Sequence, residues 1–293
     1  TGAPLTLEEA VEAQACLRAA ALAARGPVTL LGMSAWKRRC LRPFFTGPDG
    51  PPRSARTLAA VGEGPVAVWG ADAPAPPGAL RVEDGFLRSV GLGLRHTPPV
   101  SITAAVGSPY FDATRRTAFA ELAETVAFEP QLLARARRLR ERLVALGLTK
   151  YNLPEAAPPP AARGRLRLLV PGQVAGDASL RYGGRAVRDD SALLRAARAR
   201  FPDAFMLYKP HPDVLTGLRE GRACAEAEAL ADHVEHRASA LQCLEWADQV
   251  ATITSLMGFE ALLRKRAVTT FGRPFYAGWG LTDDVDPPER SRA

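Results

Sequence analysis

The chain has 293 residues, with Lys+Arg 38 against Asp+Glu 31 and a formal net charge of +7. Apolar residues make up 47% and charged residues 24%, an ordinary globular composition that excludes wholesale disorder. No apolar run approaches the roughly 18 residues that a membrane-spanning helix needs, and the length fits one or two domains.

Beginning at Thr1, with no signal-peptide apolar region behind it, the chain reads as an excised or processed segment. Cys16, Cys40, Cys224 and Cys243 are far apart and form no CxxC pair, so neither a disulfide framework nor a zinc site is indicated and a reducing compartment fits. The positive balance admits nucleic acid, an anionic lipid surface or a small anionic substrate. The motifs have to choose among them.

Thr6-Leu7-Glu8-Glu9 is a capping-box pattern, and the Ala/Leu-rich stretch behind it reads as a helix to about Arg25, ended by Gly26-Pro27. Val28 to Met33 is a short apolar run, a buried strand followed by Ser34 at a helix start. Val66 to Trp69 and Ala79 to Val82 are further strands with Gly/Pro connections. Residues 130–147 form an amphipathic helix, with Leu132, Ala136, Leu139, Leu143 and Leu146 recurring at spacings of four and three. Its other side carries Arg135, Arg137, Arg138, Arg140 and Arg142, so the helix either approaches an anionic membrane or acceptor or is a solvated helix that buries its leucine side.

The stretch 154–164, with Pro158-Pro159-Pro160, can be neither helix nor central strand and marks a domain boundary. Beyond it strands near 166–170, 204–208, 249–253 and 267–271 alternate with helices near 189–200, 239–247 and 255–265. Such alternation predicts a parallel, doubly wound α/β sheet.

Ligands of parallel sheets lie beyond the carboxyl ends of the strands, where loops and helix N-termini converge. Glu83-Asp84-Gly85-Phe86-Leu87-Arg88-Ser89 follows the strand at 79–82, and Pro171-Gly172-Gln173 with Asp177-Ala178-Ser179 follows that at 166–170. Lys209-Pro210-His211-Pro212-Asp213, Thr254-Ser255 with Gly258-Phe259-Glu260, and the Gly272 to Gly280 segment follow the next three. Five such strand ends make the layout of a two-domain cleft enzyme.

Each has a plain structural reading beside the chemical one. Glu83 and Asp84 are a solvated acidic turn or catalytic carboxylates. His211 between two prolines, with Lys209 nearby, is a surface turn or a preorganised cationic clamp for phosphate. Thr254-Ser255 is an N-cap that can also seat a phosphate. Glu260, on an apolar helical stretch, needs a partner, and in nucleotide-sugar enzymes such a residue takes ribose hydroxyls. His96, His233 and His236 are ordinary surface or loop histidines. The chain has no GxGxxG opening a first helix, no Walker A sequence, no HExxH and no GxSxG. Its arginines lie mostly on helices without interleaved aromatics, which speaks against nucleic acid.

The segment Glu83 to Gly93, Pro98 to Ser101, Tyr110-Phe111-Asp112-Ala113-Thr114, Lys150-Tyr151-Asn152-Leu153 and the later strand ends together resemble the capsule polysaccharide β-Kdo transferases of the KpsC type, in family order from about Leu30 to Asp284. The resemblance implies a GT-B-like α/β glycosyltransferase, two Rossmann-like domains facing a cleft. Residues 1–157 would be the acceptor-side domain and 163–293 the CMP-sugar-binding domain, whose final segment can pack back on the first. It implies transfer of 3-deoxy-D-manno-oct-2-ulosonic acid (Kdo) from CMP-β-Kdo, with retention, to a Kdo-terminated phosphatidylglycerol acceptor at the cytoplasmic face of the inner membrane. No metal or other cofactor is implied, and CMP is the product.

Family members are typically tandem, and Trp36-Lys37-Arg38-Arg39 with Lys209-Pro210-His211-Pro212 is similar to the second module, so a partner module is expected. Carried over, Asp177 matches the nucleophile, His211 the CMP-phosphate ligand, Glu83 (or Asp84) the acid/base, and Ser255 and Glu260 the nucleotide-binding helix start. Arg88, Gln173, Ser179, Lys209, Thr254, Gly258, Gly272 and Tyr276 match substrate-binding positions. The chain departs from the family at Ala104-Ala105-Val106 and at Ala175, where acidic residues are common. A catalytically weak module that holds lipid-linked Kdo, and another GT-B enzyme such as a sialyltransferase-like protein or an epimerase, are the alternatives.

Overall fold

The computed structural model describes residues 27–92, 97–154, 156–215 and 226–290, together with Leu7, Ala10, Val11, Gln14 and Ala15, all five helical. The capping box at Thr6, most of the helix behind it and His96 lie outside the described residues. The chain divides into two units, one of residues 1–83 with 103–109 and one of 84–102 with 110–293.

The first unit is built on a five-stranded sheet in the order β2-β1-β3-β4-β5. Its strands are β1 (Thr29–Leu31), β2 (Arg53–Ala55), β3 (Val66–Trp69), β4 (Leu80–Asp84) and β5 (Ile102–Val106). β1 runs parallel to both β2 and β3, and β3 to β4. Helix α1 (Ala35–Phe45) follows β1, and Ser34 starts it as expected, its hydroxyl accepting the Lys37 N–H at 3.3 Å. Leu31, Ala55, Val66, Val68 and Ala79 form one buried cluster on this sheet. Glu83 and Asp84, read as a turn, are instead the last two residues of β4, and the division between units passes between them.

The second unit contains helices α2 (Ala118–Thr125) and α3 (Pro130–Ala145), then β6 (Arg167–Pro171), α4 (Ala178–Gly183), α5 (Asp190–Arg200), β7 (Phe205–Lys209), α6 (Pro212–Leu215), α7 (Ala227–Leu230) and β8 (His233–Val234). It continues through α8 (Ala240–Trp246), β9 (Gln249–Thr252), α9 (Leu256–Leu263), β10 (Ala267–Thr270) and β11 (Asp283–Asp284). The strands form a sheet in the order β11-β10-β9-β6-β7-β8, parallel throughout. Both faces are covered, which is why these strands read as continuous apolar runs. Alternation sends Leu168, Val170, Met206, Tyr208 and Ile253 into one core with Leu193 and Leu194 of α5. Leu169, Leu207 and Val250 enter the other, against Cys243 and Leu244 of α8 and Ala261 of α9.

Segment 84–102 belongs to this unit through Phe86, which packs in an aromatic cluster with Tyr110, Phe259 and Phe275 at ring-centroid distances of 5.1, 5.6 and 5.4 Å. The Pro-rich stretch expected to separate two domains also lies within the second unit. There the Trp246 indole donates to the Pro160 carbonyl at 2.9 Å, and Gln242 both donates to and accepts from the Ala156 backbone. Helix α3 occupies the expected span but has no buried residue, so the reading in which it buries its leucine side does not hold.

Candidate functional site

The order of the second sheet reverses at β6: the chain leaves this strand toward β7 and β8, then returns to its other side at β9. The crevice beyond the carboxyl ends of β6 and β9 is therefore the topological switch point, where doubly wound sheets take their ligands. Gln173 follows β6, and Thr254 follows β9. The Gln173 amide donates from Nε2 to Thr254 Oγ1 at 2.9 Å and accepts the Thr254 backbone N–H at Oε1, also at 2.9 Å. An amide is suited to this position because it offers one donor and one acceptor side by side.

Thr254 Oγ1 in turn donates to Ser179 Oγ at 3.4 Å, and Ser179 donates to Asp177 Oδ1 through its backbone N–H at 2.8 Å and its hydroxyl at 2.7 Å. Asp177 caps α4 by that bond and stays half-buried. Ser255 caps α9, its Oγ accepting the Met257 N–H at 3.2 Å, so the positive end of that helix opens at the same strand end. Tyr276 secures the turn by donating its hydroxyl to the Ser255 carbonyl at 2.6 Å. Gly258 makes room for it: a Cβ there would lie 2.2 Å from the Tyr276 oxygen. Gly272 is likewise a packing position, where a Cβ would come within 2.8 Å of the Gly183 carbonyl at the end of α4.

Asp190, the first residue of α5, holds the network from behind, accepting the Tyr208 hydroxyl at 2.6 Å and the Gln173 N–H at 3.0 Å. Burial raises its pKa, and these two bonds oppose the rise. Neither Asp190 nor Tyr208 stood out in the sequence. The available signal was the Asp189-Asp190 pair, of which Asp189 alone suffices to cap α5.

Lys209 has different surroundings. It is 8% exposed, and its ammonium donates to the Glu235 carbonyl at 3.3 Å. Burial lowers its pKa, against the pull of Cys243 and Glu235, while burial pushes the Cys243 thiol up to about 12. His211 is half-buried two residues on, its carbonyl accepting the Val214 N–H in α6.

Arg88 and Glu260 share a third set of bonds. Arg88, 3% exposed, donates from Nε to Asp84 Oδ1 at 3.0 Å and from Nη1 to Ser89 Oγ at 3.0 Å and the Thr97 carbonyl at 2.6 Å. The backbone N–H groups of Arg88 and Ser89 both donate to the Lys150 carbonyl, at 2.9 and 3.2 Å. The Lys150 N–H donates to Glu260 Oε1 at 2.7 Å. Glu260 thus has its expected partner, a backbone amide, and burial pushes its pKa up to about 7 although that bond, Arg264 and Lys150 work against the rise.

The structure brings Gln173, Asp177, Ser179, Thr254 and Ser255 into one bonded neighbourhood, with Gly258 and Tyr276 behind it. It links Asp84, Arg88 and Glu260 into a second, and it places Glu83 in the first unit. Among the described residues no cluster of His, Cys, Asp and Glu could hold a metal ion, and no helix is long and apolar enough to cross a membrane.

Comparison with known proteins places these features in a family. The family model described as "Capsule polysaccharide biosynthesis protein" matches residues 131–293, which include every strand of the second sheet. "Capsule polysaccharide modification protein LipA" of Neisseria meningitidis serogroup B is 40% identical over 285 residues, 92% of this chain and 40% of LipA. "Lipopolysaccharide-processing protein LpsZ" of Rhizobium meliloti is 42% identical over 220 residues, 72% of this chain and 50% of LpsZ. The chain therefore spans half or less of these relatives.

Among solved structures, the chain is similar to the β-Kdo 2,7 transferase of Thermosulfurimonas dismutans KpsC, with TM-score 0.71 and 30% identity, covering 91% of this chain and 86% of that one. The β-Kdo 2,4 transferase of the same KpsC has TM-score 0.74 and 29% identity over the same shares. With the matched residues carrying the whole sheet and its switch point, this chain is a member of the capsule polysaccharide biosynthesis family, of the KpsC type.

Proposed function

We propose that this chain is a glycosyltransferase of GT-B-like architecture that moves Kdo from CMP-β-Kdo, with retention, to a Kdo-terminated lipid acceptor in building a capsule polysaccharide linker. The observation that carries this reading is the Asp177–Ser179–Thr254–Gln173 set at the switch point, on a chain that shares its fold with two β-Kdo transferases. On this reading the protein works at the cytoplasmic face of the inner membrane, with a second module beside it.

The chemistry suits the residues. The donor bears a phosphodiester and a carboxylate at the reacting carbon, so its site must supply N–H donors and positive potential. The N-terminus of α9 with Ser255, together with His211, would receive the phosphate. Two donors from Ser179 hold one oxygen of Asp177, which orients the carboxylate for attack. In the first step an Asp177 oxygen bonds to the anomeric carbon as the bond to the phosphate oxygen breaks, and the electron pair leaves with CMP. In the second the acceptor hydroxyl attacks that carbon, Glu83 takes its proton, and the bond to Asp177 breaks with the pair returning to the carboxylate. Two inversions give net retention. Glu83 is taken as the base from the family resemblance, with Asp84, bonded to Arg88 at 3.0 Å, as the second candidate.

Asp177→Ala is expected to abolish CMP release from CMP-Kdo generated in situ, and unchanged turnover would remove the nucleophile from the scheme. CMP-sialic acid and UDP-sugars assayed beside CMP-Kdo test the donor, and NMR of the product on a synthetic Kdo-terminated acceptor gives the linkage. Ala104, Ala105 and Ala175 favour one other reading, a weak module that binds Kdo without transferring it. Calorimetric donor binding with no transfer would select it.

A further inference from the structure

Helix α3 is the anomaly of the second unit. A sixteen-residue helix in a globular protein is ordinarily stabilised by burying one apolar face, yet α3 buries none of its residues. Leu139 and Leu146 are 56% and 58% exposed, and Leu132, Leu133 and Val144 are exposed as well. Ala134, Arg140 and Leu143 are half-buried, so the helix touches the protein at few points, with Arg140 and Leu143 one turn apart on one side.

Its charges are arranged about the leucines. Leu132, Leu139 and Leu146 fall in one exposed stripe by the helical repeat, with Arg135 and Arg142 along one edge of it and the half-buried Leu143 and Arg140 along the other. The helix carries five arginines against a single glutamate, Glu141. A protein partner could cover the leucines, but two arginines along the exposed edge of the stripe, on a helix with three more, favour an extended negative surface beside the leucines. Long arginine side chains can reach outward to such a surface while the leucines beside them enter an apolar layer.

We propose that α3 is a docking surface for an anionic lipid bilayer, lying in the plane of the interface with its leucines among the acyl chains and its arginines at the phosphates. The inference rests on the helix itself, and its test uses no sugar donor, so it and the transfer reaction can each fail alone.

The test is co-sedimentation of the whole chain with vesicles of phosphatidylglycerol and phosphatidylcholine in equal parts, beside vesicles of phosphatidylcholine alone. Binding to the anionic vesicles only, weakened by salt, is expected. Arg135→Glu with Arg142→Glu, the two arginines at the edge of the stripe, should reduce partitioning at least about tenfold, since each basic residue near such a surface contributes on the order of 1 kcal/mol. Leu139→Glu with Leu146→Glu should reduce it comparably at unchanged melting temperature, because both positions are exposed. A Leu139→Trp variant should show a blue shift in emission on adding anionic vesicles.

Partitioning that ignores both pairs of substitutions, or no partitioning at all, would overturn the proposal. So would a chain that self-associates in sedimentation and is made monomeric by Leu139→Glu, which would make a second copy the occupant. Should a longer tandem form bind vesicles no better than its Leu139→Glu variant, the neighbouring module would be covering the helix, and the proposal would fall.

Discussion

Gln173 and Thr254 hold each other by a reciprocal pair of hydrogen bonds, both 2.9 Å, across the point where the order of the second sheet reverses. Because the pair joins loops that follow β6 and β9, it sets the spacing of the crevice into which Asp177 and the start of α9 open. Gln173→Glu keeps an acceptor for the Thr254 N–H, and the threonine hydroxyl can turn to donate to it. The fold should therefore survive with little change in melting temperature. The added negative charge faces an anionic donor, so KM for CMP-Kdo should rise about tenfold or more. Steady-state kinetics against thermal unfolding separates the two effects.

Glu260 makes stability depend on pH. Its carboxyl is 6% exposed with a pKa of about 7 in the folded protein, above the usual glutamate value. The folded state therefore holds this proton more tightly than the unfolded chain does. Stability contributed by the protonated form is complete below the unfolded value of about 4.3 and is lost as pH rises through the folded value, by about 4 kcal/mol in all. Glu260→Gln can still accept the Lys150 N–H and carries no charge. It should flatten the decline between about pH 5 and pH 8 and be the more stable protein at the upper end, as measured by urea denaturation at the two pH values.

Much of this architecture can be read before folding, and the exceptions have physical causes. β6, β7, β9 and β10 are legible because both of their faces are buried, which gives short apolar runs between breaks. β11 is only Asp283–Asp284, and it forms because the Thr269 and Thr270 hydroxyls donate to those carboxylates at 3.0 and 2.8 Å, a contact no periodicity encodes. Glu260 announces its need for a partner by its apolar neighbours. The partner itself, the Lys150 amide, lies 110 residues away. Lys209 looks like a phosphate ligand from its place beside His211, but strand parity decides otherwise. With Met206 and Tyr208 in one core and Leu207 in the other, the next side chain turns toward Cys243 and away from the Tyr208 side.

Gly258 and Tyr276 should prove strongly coupled. Tyr276→Phe removes one hydrogen bond to the Ser255 carbonyl, a loss of about 1 kcal/mol. Gly258→Ala drives a methyl to 2.2 Å from the tyrosine oxygen, and such overpacking costs about 1–3 kcal/mol. In the Tyr276→Phe background the nearest clash is gone, so the alanine should cost less there. A double-mutant cycle by urea denaturation should give a coupling of at least about 0.5 kcal/mol, and strict additivity would show that the two positions do not share the turn at the start of α9.

Arg88 matches a substrate-binding position by family resemblance, whereas its side chain is spent on Asp84, Ser89 and the Thr97 carbonyl, almost wholly out of solvent. Its backbone adds a bond to the Lys150 carbonyl. Three side-chain bonds in different directions need the guanidinium fork, which a lysine cannot reproduce. Arg88→Lys should therefore cost about 3 kcal/mol in stability, since Asp84 loses its aligned partner and two further acceptors go unmet. Donor KM measured well below the unfolding temperature should shift less than about threefold, with kcat carrying any remaining loss as the segment that bears Asp84 loosens. A variant of near-normal stability whose KM rises about tenfold would reverse the assignment, because only a guanidinium in contact with the donor could lose binding while leaving the fold intact.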